Sequence, residues 1–593
     1  MDIEPGNDLN LGEIIGHGGE LKLTHDRHGK HKRGRHVFIC GSSGVGKSKL
    51  LEGMVRQDIC QWHKRRCGLM LLDPHGAVYN GLMEWLAERE DTDIPIIPID
   101  LTRDDWIVSY NVLRRRQTMG RSVIISEFLE AISHIWGESN TDTTPRFNNI
   151  GGLVLDTLYQ LGFTMAEASK LLMRFDVQRA LVARLPAGRT RDAWQRALNR
   201  PVNFDDRTES TENRFTRFEE NPILKAMFGQ TEVSLDLSAS LRDGHIILVN
   251  LSTEKGRVSR QDADTFGTLL LSDLWAAARE RGKADDIKPF YLYVDEFQTM
   301  TTPSIARGLD QARGHGLHLT LACQYPNQLL NEAGTTGKAL YDSVIVNAQN
   351  KIVFKTEHPE NLDTLARQLF MGTFNPNVIK DEIYSTKVMD YKEEIRVDTS
   401  ESEAEIESGG TARSAAGSSN TGNAEGVGQS LVPGGSLEEM EFASWNLFVS
   451  DTHGESESWG ETQNQGWAHA KSKSVMRRHV LLPILGKELS SRQFLGLDEQ
   501  LFLVMQQLIV QEDRHCAVKV VGHRAPVFIR TTDLKRGRAL PVRIERFLER
   551  QRKKWPFFLE MPEALTRLAF REQQLLDSIR EPEPNETAKR RVS

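Results

Sequence analysis

The sequence predicts an α/β fold with a mostly parallel central sheet. Short apolar runs, typical of strands buried on both faces, alternate with longer amphipathic helical patterns along much of the chain. In addition, residues 36–48 form an apolar run and a glycine-rich turn that lead into an amphipathic stretch at 49–64. Units of this kind bring polar residues to the carboxyl edge of a sheet, where we expect a functional site.

Composition limits the class of protein. A chain of 593 residues is too long for one compact core and predicts roughly two to four domains. The hydrophobic fraction of 39% and net charge of -7 exclude a basic nucleic-acid coat, so any contact with DNA must be local. The five cysteines are scattered and predict reduced thiols. No apolar stretch is long enough to span a membrane, and we therefore expect a cytoplasmic protein without a transmembrane segment.

The predicted strands follow one another with helical patterns between them. The first strand ends at Cys40, and the later ones are predicted at residues 67–73, 94–100, 244–251, 290–295, 317–323 and 351–355. Between the third and fourth strands, residues 121–228 show helical periodicity with hardly any strand signal. This region is predicted to be an all-helical insertion.

The last third of the chain changes in composition. Residues 398–476 are rich in Ser, Gly, Glu, Asn and Thr, which predicts a largely disordered linker. Trp445, Trp459 and Trp467 in it are either stray aromatics or a short recognition element. A helix at 490–510, a hairpin at 515–531 and a basic helical tail from residue 543 predict a small α+β segment.

These patterns predict six successive regions. They are a basic N-terminal arm at 1–34, the first part of the α/β domain at 35–120, the helical insertion at 121–228, the second part of the α/β domain at 229–397, the linker at 398–476 and a C-terminal helical and hairpin extension at 477–593. The basic cluster at 25–36 suits either a solvated arm or a ring face that attracts DNA.

The run at 41–48 fits the G-x-x-x-x-G-K-[ST] phosphate loop. Its glycines let backbone N–H groups converge on phosphate oxygens, and the following helix adds its positive end. Lys47 is predicted to reach the β- and γ-phosphates of ATP, and Ser48 to ligate Mg²⁺. The predicted nucleotide-binding residues are Gly41, Ser42, Ser43, Gly44, Val45, Gly46, Lys47, Ser48 and Lys49.

Polar residues at later strand ends complete the predicted catalytic set. Asp295 and Glu296 follow the apolar run at 290–294, so Asp295 is predicted to hold Mg²⁺ through water and Glu296 to polarise the attacking water. Gln324 ends the next strand, where its amide can sense the γ-phosphate. Arg313 lies between these strands and is a candidate arginine finger for the ATP of a neighbouring subunit.

Five segments together resemble the HerA/FtsK superfamily of DNA-pumping ATPases and, within it, the TraG/TraD/VirD4 coupling proteins of type IV secretion. They are residues 41–48, 72–76, 294–297, 312–314 and 322–329. The resemblance covers roughly residues 35–115 and 228–356, and the insertion is similar to the all-α domain of the coupling proteins.

The resemblance implies a RecA-like P-loop ATPase that assembles as a homo-hexamer, hydrolyses ATP between subunits and drives DNA through a central channel. It implies the roles given above for Lys47, Ser48, Asp295, Glu296, Gln324 and Arg313, and it places Asp73 and His75 near the nucleotide. Non-specific DNA and a relaxase or secretion-channel protein are the implied partners.

A departure from the family pattern keeps alternatives open. Coupling proteins usually begin with membrane-spanning helices, whereas only about 35 residues, none of them membrane-like, precede the phosphate loop here. The sequence leaves open a HerA/FtsK-like translocase in DNA-end processing or phage defence, and a nucleotide-gated DNA-binding adaptor that does not pump. It also leaves open whether the chain docks at the inner face of the cell membrane through a separate anchor.

Overall fold

The computed structural model describes most of the chain, in two compact units. The described residues are 8–25, 31–89, 93–116, 119–135, 144–199, 205–283, 287–300, 308–309, 311–332, 337–406, 422–428, 446–452 and 468–580. One unit comprises those within Met1–Phe374 and Asp498–Ser593, and the other comprises those within Asn375–Leu497. Trp445, Trp459 and Trp467 lie outside the described residues.

The strands of the larger unit form a central sheet and a small separate pair. They are β1 (Leu9–Ile14), β2 (Glu20–Leu23), β3 (Val37–Cys40), β4 (Leu69–Asp73), β5 (Ile96–Asp100), β6 (Trp106–Val108), β7 (Ile246–Asn250), β8 (Phe290–Val294), β9 (Leu317–Cys323) and β10 (Asn350–Phe354). In the smaller unit follow β11 (Ile379–Ile406), β12 (Gly422–Gly428), β13 (Asn446–Thr452) and β14 (Ala468–Phe494), and the larger unit ends with β15 (His515–Lys519), β16 (Val527–Thr531) and β17 (Phe558–Glu560).

The central sheet has eleven strands in the order β2-β1-β16-β15-β10-β3-β9-β8-β4-β7-β5. All neighbours from β10 to β5 are parallel, and those from β2 to β10 are antiparallel. Strands such as β4, β7 and β8 are wholly buried and mainly apolar, as expected for parallel strands covered on both faces. This confirms the predicted α/β fold with a mostly parallel sheet.

The α-helices lie between the strands, in the insertion and near the C-terminus. They are α1 (Lys47–Arg65), α2 (Ala77–Arg89), α3 (Arg121–Ile135), α4 (Thr144–Leu161), α5 (Ala168–Met173), α6 (Phe175–Arg184), α7 (Arg189–Leu198), α8 (Asp205–Glu220), α9 (Pro222–Phe228), α10 (Leu237–Asp243), α11 (Arg260–Glu280), α12 (Gln328–Glu332), α13 (Gly337–Asn347), α14 (Pro359–Phe370), α15 (Leu497–Ile509), α16 (Pro541–Lys553) and α17 (Met561–Arg580). Among the described residues of 121–228 the regular structure is helical throughout. No helix in the described part of the chain is long and apolar enough to cross a membrane.

The predicted N-terminal arm is instead part of the sheet. β1 pairs with β2 and with β16, and Leu9, Leu11, Leu21 and Leu23 are buried. The prediction of an arm gave weight to the basic cluster and overlooked the leucines, which alternate with polar residues at the period of a half-buried strand.

The C-terminal extension also joins the sheet. The predicted hairpin is present as β15 and β16, and β15 pairs with β10 while β16 pairs with β1. The extension is therefore not a separate segment beside the α/β domain. Composition could not show this, because strand pairing between distant segments leaves no local signal in the sequence.

The smaller unit contains a long antiparallel ribbon of β11 and β14. Its register runs from Ile379 opposite Phe494 to Ile406 opposite Ala468, with three irregularities. The ribbon crosses both predicted linker boundaries, since it includes residues 398–406 and 468–476. The prediction of a largely disordered linker rested on composition, and the described residues at its two ends, 398–406 and 468–476, lie in paired strands.

A buried ion pair connects the N-terminal segment to α1 and β8. Arg33 Nη1 and Nη2 donate to Asp58 Oδ1 and Oδ2 at 2.7 and 2.9 Å. Tyr293 donates its hydroxyl to Asp58 Oδ2 at 2.5 Å and also accepts from Arg33. Asp58 lies on α1 and Tyr293 on β8, so the network fixes the positions of two elements that carry predicted site residues.

We expect Asp58→Ala to destabilise the fold by about 3–5 kcal/mol, because it leaves the Arg33 guanidinium buried without its counter-charge. The double variant Arg33→Met/Asp58→Leu should recover most of this loss. The measurement is the urea midpoint followed by tryptophan fluorescence. Asp243→Ala, which removes an exposed partner of Arg242, is the control and should shift stability by less than about 0.5 kcal/mol. Equal losses in the single and double variants would contradict the assignment.

Candidate active site

The phosphate loop connects β3 to α1 and is fixed at its start by two neighbouring strands. Gly41 N donates to Gln324 O at 3.1 Å, and Ser42 N donates to Lys355 O at 2.8 Å. Gly44 and Gly46 adopt φ values of 82° and 110°, a region that only glycine enters without strain. The nine predicted nucleotide-binding residues thus form one turn and the first residues of α1.

Lys47 lies over this turn. Its side chain is buried, and Nζ donates to Gly41 O at 2.7 Å and to Ser42 O at 2.8 Å. The ammonium is therefore held against the backbone carbonyls at the start of the loop. Lys49 differs from it, because its side chain is mostly exposed and pairs with Glu52 at 2.7 Å.

The phosphate loop and the acidic strand end meet in space. Ser48 Oγ donates to Asp295 Oδ2 at 2.9 Å, although 247 residues separate the two in sequence. Burial, reinforced by the nearby carboxylates of Asp73 and Glu296, raises the pKa of Asp295 to about 6, while the Ser48 hydrogen bond acts in the opposite direction. A hydroxyl and a carboxylate in contact, at a site with excess negative charge, suit a hydrated Mg²⁺ ion.

Glu296 is held in an unusual conformation. Its φ is 48°, a left-handed value that costs a non-glycine residue free energy and that often marks functional sites. Its carboxylate accepts from Gln324 Nε2 at 3.3 Å and from Gln298 Nε2. His75 Nε2 lies 3.9 Å from Glu296 Oε1. The two predicted residues Glu296 and Gln324 are thus brought together.

Asp73 has a clear local role. Its Oδ1 accepts from the N–H groups of His75 and Gly76 at 3.1 and 2.9 Å, and its Oδ2 accepts from Tyr79 N at 2.8 Å. These bonds satisfy backbone donors at the start of α2. Burial raises the pKa of Asp73 despite them. Its carboxylate both caps a helix and adds to the negative charge around Asp295.

Arg313 lies away from this group of residues. It precedes β9, whereas Gln324 follows the same strand, so the two are at opposite ends of it. Arg313 lies near Gly34, His36 and His318. Burial lowers the pKa of both histidines, and the positive charge of Arg313 lowers them further. Arg313 therefore does not complete the site of its own subunit.

Sequence reasoning missed two residues that contact the site. Gln298 bonds Glu296, and Arg514 N donates to Val45 O in the phosphate loop at 2.9 Å. A Cβ atom at Gly46 would lie 3.3 Å from Arg514 Cγ, so the C-terminal segment packs directly on the loop. Neither residue belongs to a recognisable motif. Arg514 contacts the phosphate loop because the residue precedes β15, and β15 pairs with β10 in the folded sheet.

The donor set fits Mg²⁺ and a nucleoside triphosphate. A Cβ atom built on Gly44 meets nothing within 4 Å, so the outer side of the loop is open. The loop backbone and Lys47 could hold phosphate oxygens, and Ser48 and Asp295 could hold the metal ion. These groups share one edge of the sheet because β3, β9, β8 and β4 are consecutive neighbours.

Comparison with known proteins identifies a family segment. Residues 289–441 match the family model described as the TraM recognition site of TraD and TraG. The resemblance to TraG/TraD-type coupling proteins is confirmed. The matched segment contains β8, Asp295, Glu296, Arg313 and Gln324. No curated protein matches the chain.

Three of the solved structures that match this chain do so at low sequence identity and at TM-scores below 0.5. The bacterial conjugative coupling protein TrwBdeltaN70, in an unbound form, is 13% identical with a TM-score of 0.47, and the alignment covers 90% of this chain and 96% of that one. Plasmid coupling protein TrwB in complex with ADP and Mg²⁺ is 12% identical with a TM-score of 0.47, covering 90% and 97%. VirB4 of Thermoanaerobacter pseudethanolicus is 13% identical with a TM-score of 0.40, covering 62% and 89%.

We expect Asp295→Asn to stabilise the protein when Mg²⁺ and nucleotide are absent. The pKa of about 6 in the folded state exceeds the value of about 3.9 typical of an unfolded chain, so ionisation disfavours the fold. This cost develops as pH rises from about 4 to about 6 and is complete, at up to about 3 kcal/mol, above pH 7. Thermal unfolding should therefore show a larger gain for the variant at pH 8 than at pH 5.

The control for this experiment is Asp243→Asn, which alters an exposed carboxylate and should give no comparable gain. Mg²⁺ with a non-hydrolysable ATP analogue should stabilise the wild type more than Asp295→Asn. If the variant is less stable than the wild type at pH 8 without ligand, the ionised Asp295 carboxylate does not destabilise the fold and the expectation is wrong.

Proposed function

We propose that this chain is an ATP-dependent motor that moves DNA as a ring oligomer, in the role of a coupling protein for conjugative or type IV secretion transfer. The observation that carries the proposal is the contact between Ser48 and Asp295, which joins the phosphate loop to the acidic strand end. The match to a TraD and TraG segment supports the choice of coupling protein over other DNA translocases.

In ATP hydrolysis the residues of the site would have different roles. The loop N–H groups and Lys47 would bind the β- and γ-phosphates, and Ser48 and Asp295 would hold Mg²⁺. Bound Mg·ATP would supply the bond to be cleaved. Glu296 Oε1 would accept the proton of the attacking water, and Gln324 Nε2, which lies 3.3 Å from that oxygen, would orient the carboxylate and the water.

A positioned general base would distinguish a motor from a passive switch. A nucleotide-gated adaptor needs to bind ATP, but it does not need a strained glutamate held by two glutamine amides. Glu296 with Gln298 and Gln324 has that arrangement. Strain of this kind persists only where neighbouring contacts maintain it.

The proposed partners follow from the same family segment. Its description names a site at which TraD and TraG recognise another protein, which supports a protein partner such as a relaxase or a secretion-channel component for this chain. DNA would be bound without sequence preference through local basic surface. Six subunits, a cytoplasmic location and docking at the inner face of the cell membrane are further parts of the proposal.

We expect double-stranded or single-stranded DNA to raise the ATP turnover of the wild-type protein. Lys47→Ala should abolish turnover by removing the phosphate contact. Glu296→Gln should retain bound ATP but cleave it roughly 10²–10⁴-fold more slowly, as is typical for loss of a general base. The measurements are phosphate release and nucleotide retention. Lys22→Ala, a change at a half-exposed lysine paired with Glu20, is the control and should behave as the wild type. Equal, DNA-independent turnover in all these proteins would refute the motor.

Arg313 is proposed to act on the ATP of the adjacent subunit. Arg313→Ala should be inactive alone, yet a mixture with Lys47→Ala should recover part of the activity, because some interfaces then combine an intact Lys47 with an intact Arg313. The measurement is turnover over a series of mixing ratios. A mixture of Lys47→Ala with Arg242→Ala, an exposed arginine, provides the upper reference. A lack of recovery in mixed rings would exclude the trans role.

A further inference from the structure

None of the described side chains in the ribbon of β11 and β14 is buried, so this part of the ribbon has no core of its own. Its 28 and 27 residues extend for about 90 Å as a two-stranded sheet. Large apolar side chains along it, such as Tyr391, Ile395, Val397 and Leu485, are exposed. A ribbon of two strands is marginally stable in water, and its outer edges offer unpaired backbone groups to another strand.

The two strands carry opposite charge. β11 contains nine Asp and Glu against four Lys and Arg, and β14 contains one Glu against six Lys and Arg. Within the ribbon these charges meet across the strands, as Arg492 with Glu382 at 2.9 Å and His479 with Glu393 at 2.8 Å. The register further places Glu401 opposite Lys473 and Glu403 opposite Lys471. The ribbon therefore has one acidic edge strand and one basic edge strand.

This charge distribution determines which strand of another copy can pair with each edge of the ribbon. The acidic edge of one copy is complementary to the basic edge of another, whereas β11 against β11 would oppose like charges. Head-to-tail contacts of this kind are heterologous and generate a ring when the rotation closes. In such a ring every β11 runs one way and every β14 the other, so new pairs between copies are antiparallel, like those within the ribbon.

We propose that the ribbons of neighbouring copies of this chain pair edge to edge, β11 of one copy on β14 of the next, and close into a β-barrel. The occupant of each edge is thus a second copy of the same chain. Closure would remove every open edge of the ribbon. The inference concerns assembly and does not depend on hydrolysis or on DNA.

The test uses the full chain and a charge-swapped variant, Glu401→Lys/Glu403→Lys/Lys471→Glu/Lys473→Glu. The variant keeps opposite charges within its ribbon and between its own copies, so it should assemble alone. Against the wild type it opposes Glu to Glu and Lys to Lys at each contact. Native mass spectrometry of two differently tagged, co-expressed proteins should therefore show mixed assemblies roughly fivefold or more below the statistical proportion.

The matched control swaps an exposed pair on α16, Glu549→Lys/Lys553→Glu, and should mix statistically with the wild type. Statistical mixing of the ribbon variant, or a wild-type protein that stays monomeric, would overturn the proposal. If the ribbon variant mixes statistically but the protein is an active DNA-stimulated ATPase, the barrel proposal is wrong and the proposed motor function still stands.

Hydrogen exchange of the wild-type protein gives a second readout that needs no variant. In an isolated two-stranded ribbon about half of the strand amides are bonded to the partner strand, whereas in a barrel nearly all are bonded. Peptides from residues 379–397 should show nearly complete protection in the assembly. Protection of only half of their amides in the assembled protein would overturn the proposal.

Discussion

The candidate site depends on the order of four parallel strands. β3, β9, β8 and β4 are consecutive neighbours, and each ends at the same edge of the sheet. The phosphate loop, Gln324, the Asp295 and Glu296 pair, and Asp73 follow these strands in that spatial order. Parallel pairing thus converts segments far apart in sequence into one polar edge. A different strand order with the same motifs would separate the lysine from the carboxylates.

The site concentrates negative charge and backbone strain that the surrounding fold must support. Asp295 is buried beside two other carboxylates, and Glu296 adopts a left-handed conformation. Elsewhere on α1 and β8, the Arg33 and Asp58 pair is satisfied by bidentate hydrogen bonds and by Tyr293. A buried pair of this kind adds little net stability but fixes geometry, since either partner alone would be costly. Rigid placement of α1 against β8 lets the strained site persist.

The local parts of the structure could be predicted, and the non-local pairings could not. The phosphate loop and the acidic strand end are continuous in sequence, and their apolar strands identify the edge on which they lie. In contrast, the burial of Arg33 contradicts the usual exposure of a basic cluster, and the contact of Arg514 with the loop joins segments that no periodicity relates. The ribbon was not predicted, because its exposed strands are held by backbone pairing and charge, and pairing between distant segments leaves no local signal in the sequence.

The arrangement of the central sheet also sets when the molecule can fold. β3 enters near the amino terminus, but its neighbours β9 and β10 come hundreds of residues later, and β15 and Arg514 later still. During synthesis the emerging phosphate loop therefore lacks the carbonyls of Gln324 and Lys355 that fix it, and then the turn at Arg514 that packs on it. Sheets with such distant pairings fold slowly, because the entropy of closing the long loops is lost before the strand contacts that compensate for it have formed. The phosphate loop consequently reaches its folded contacts only after residue 514 has been synthesised.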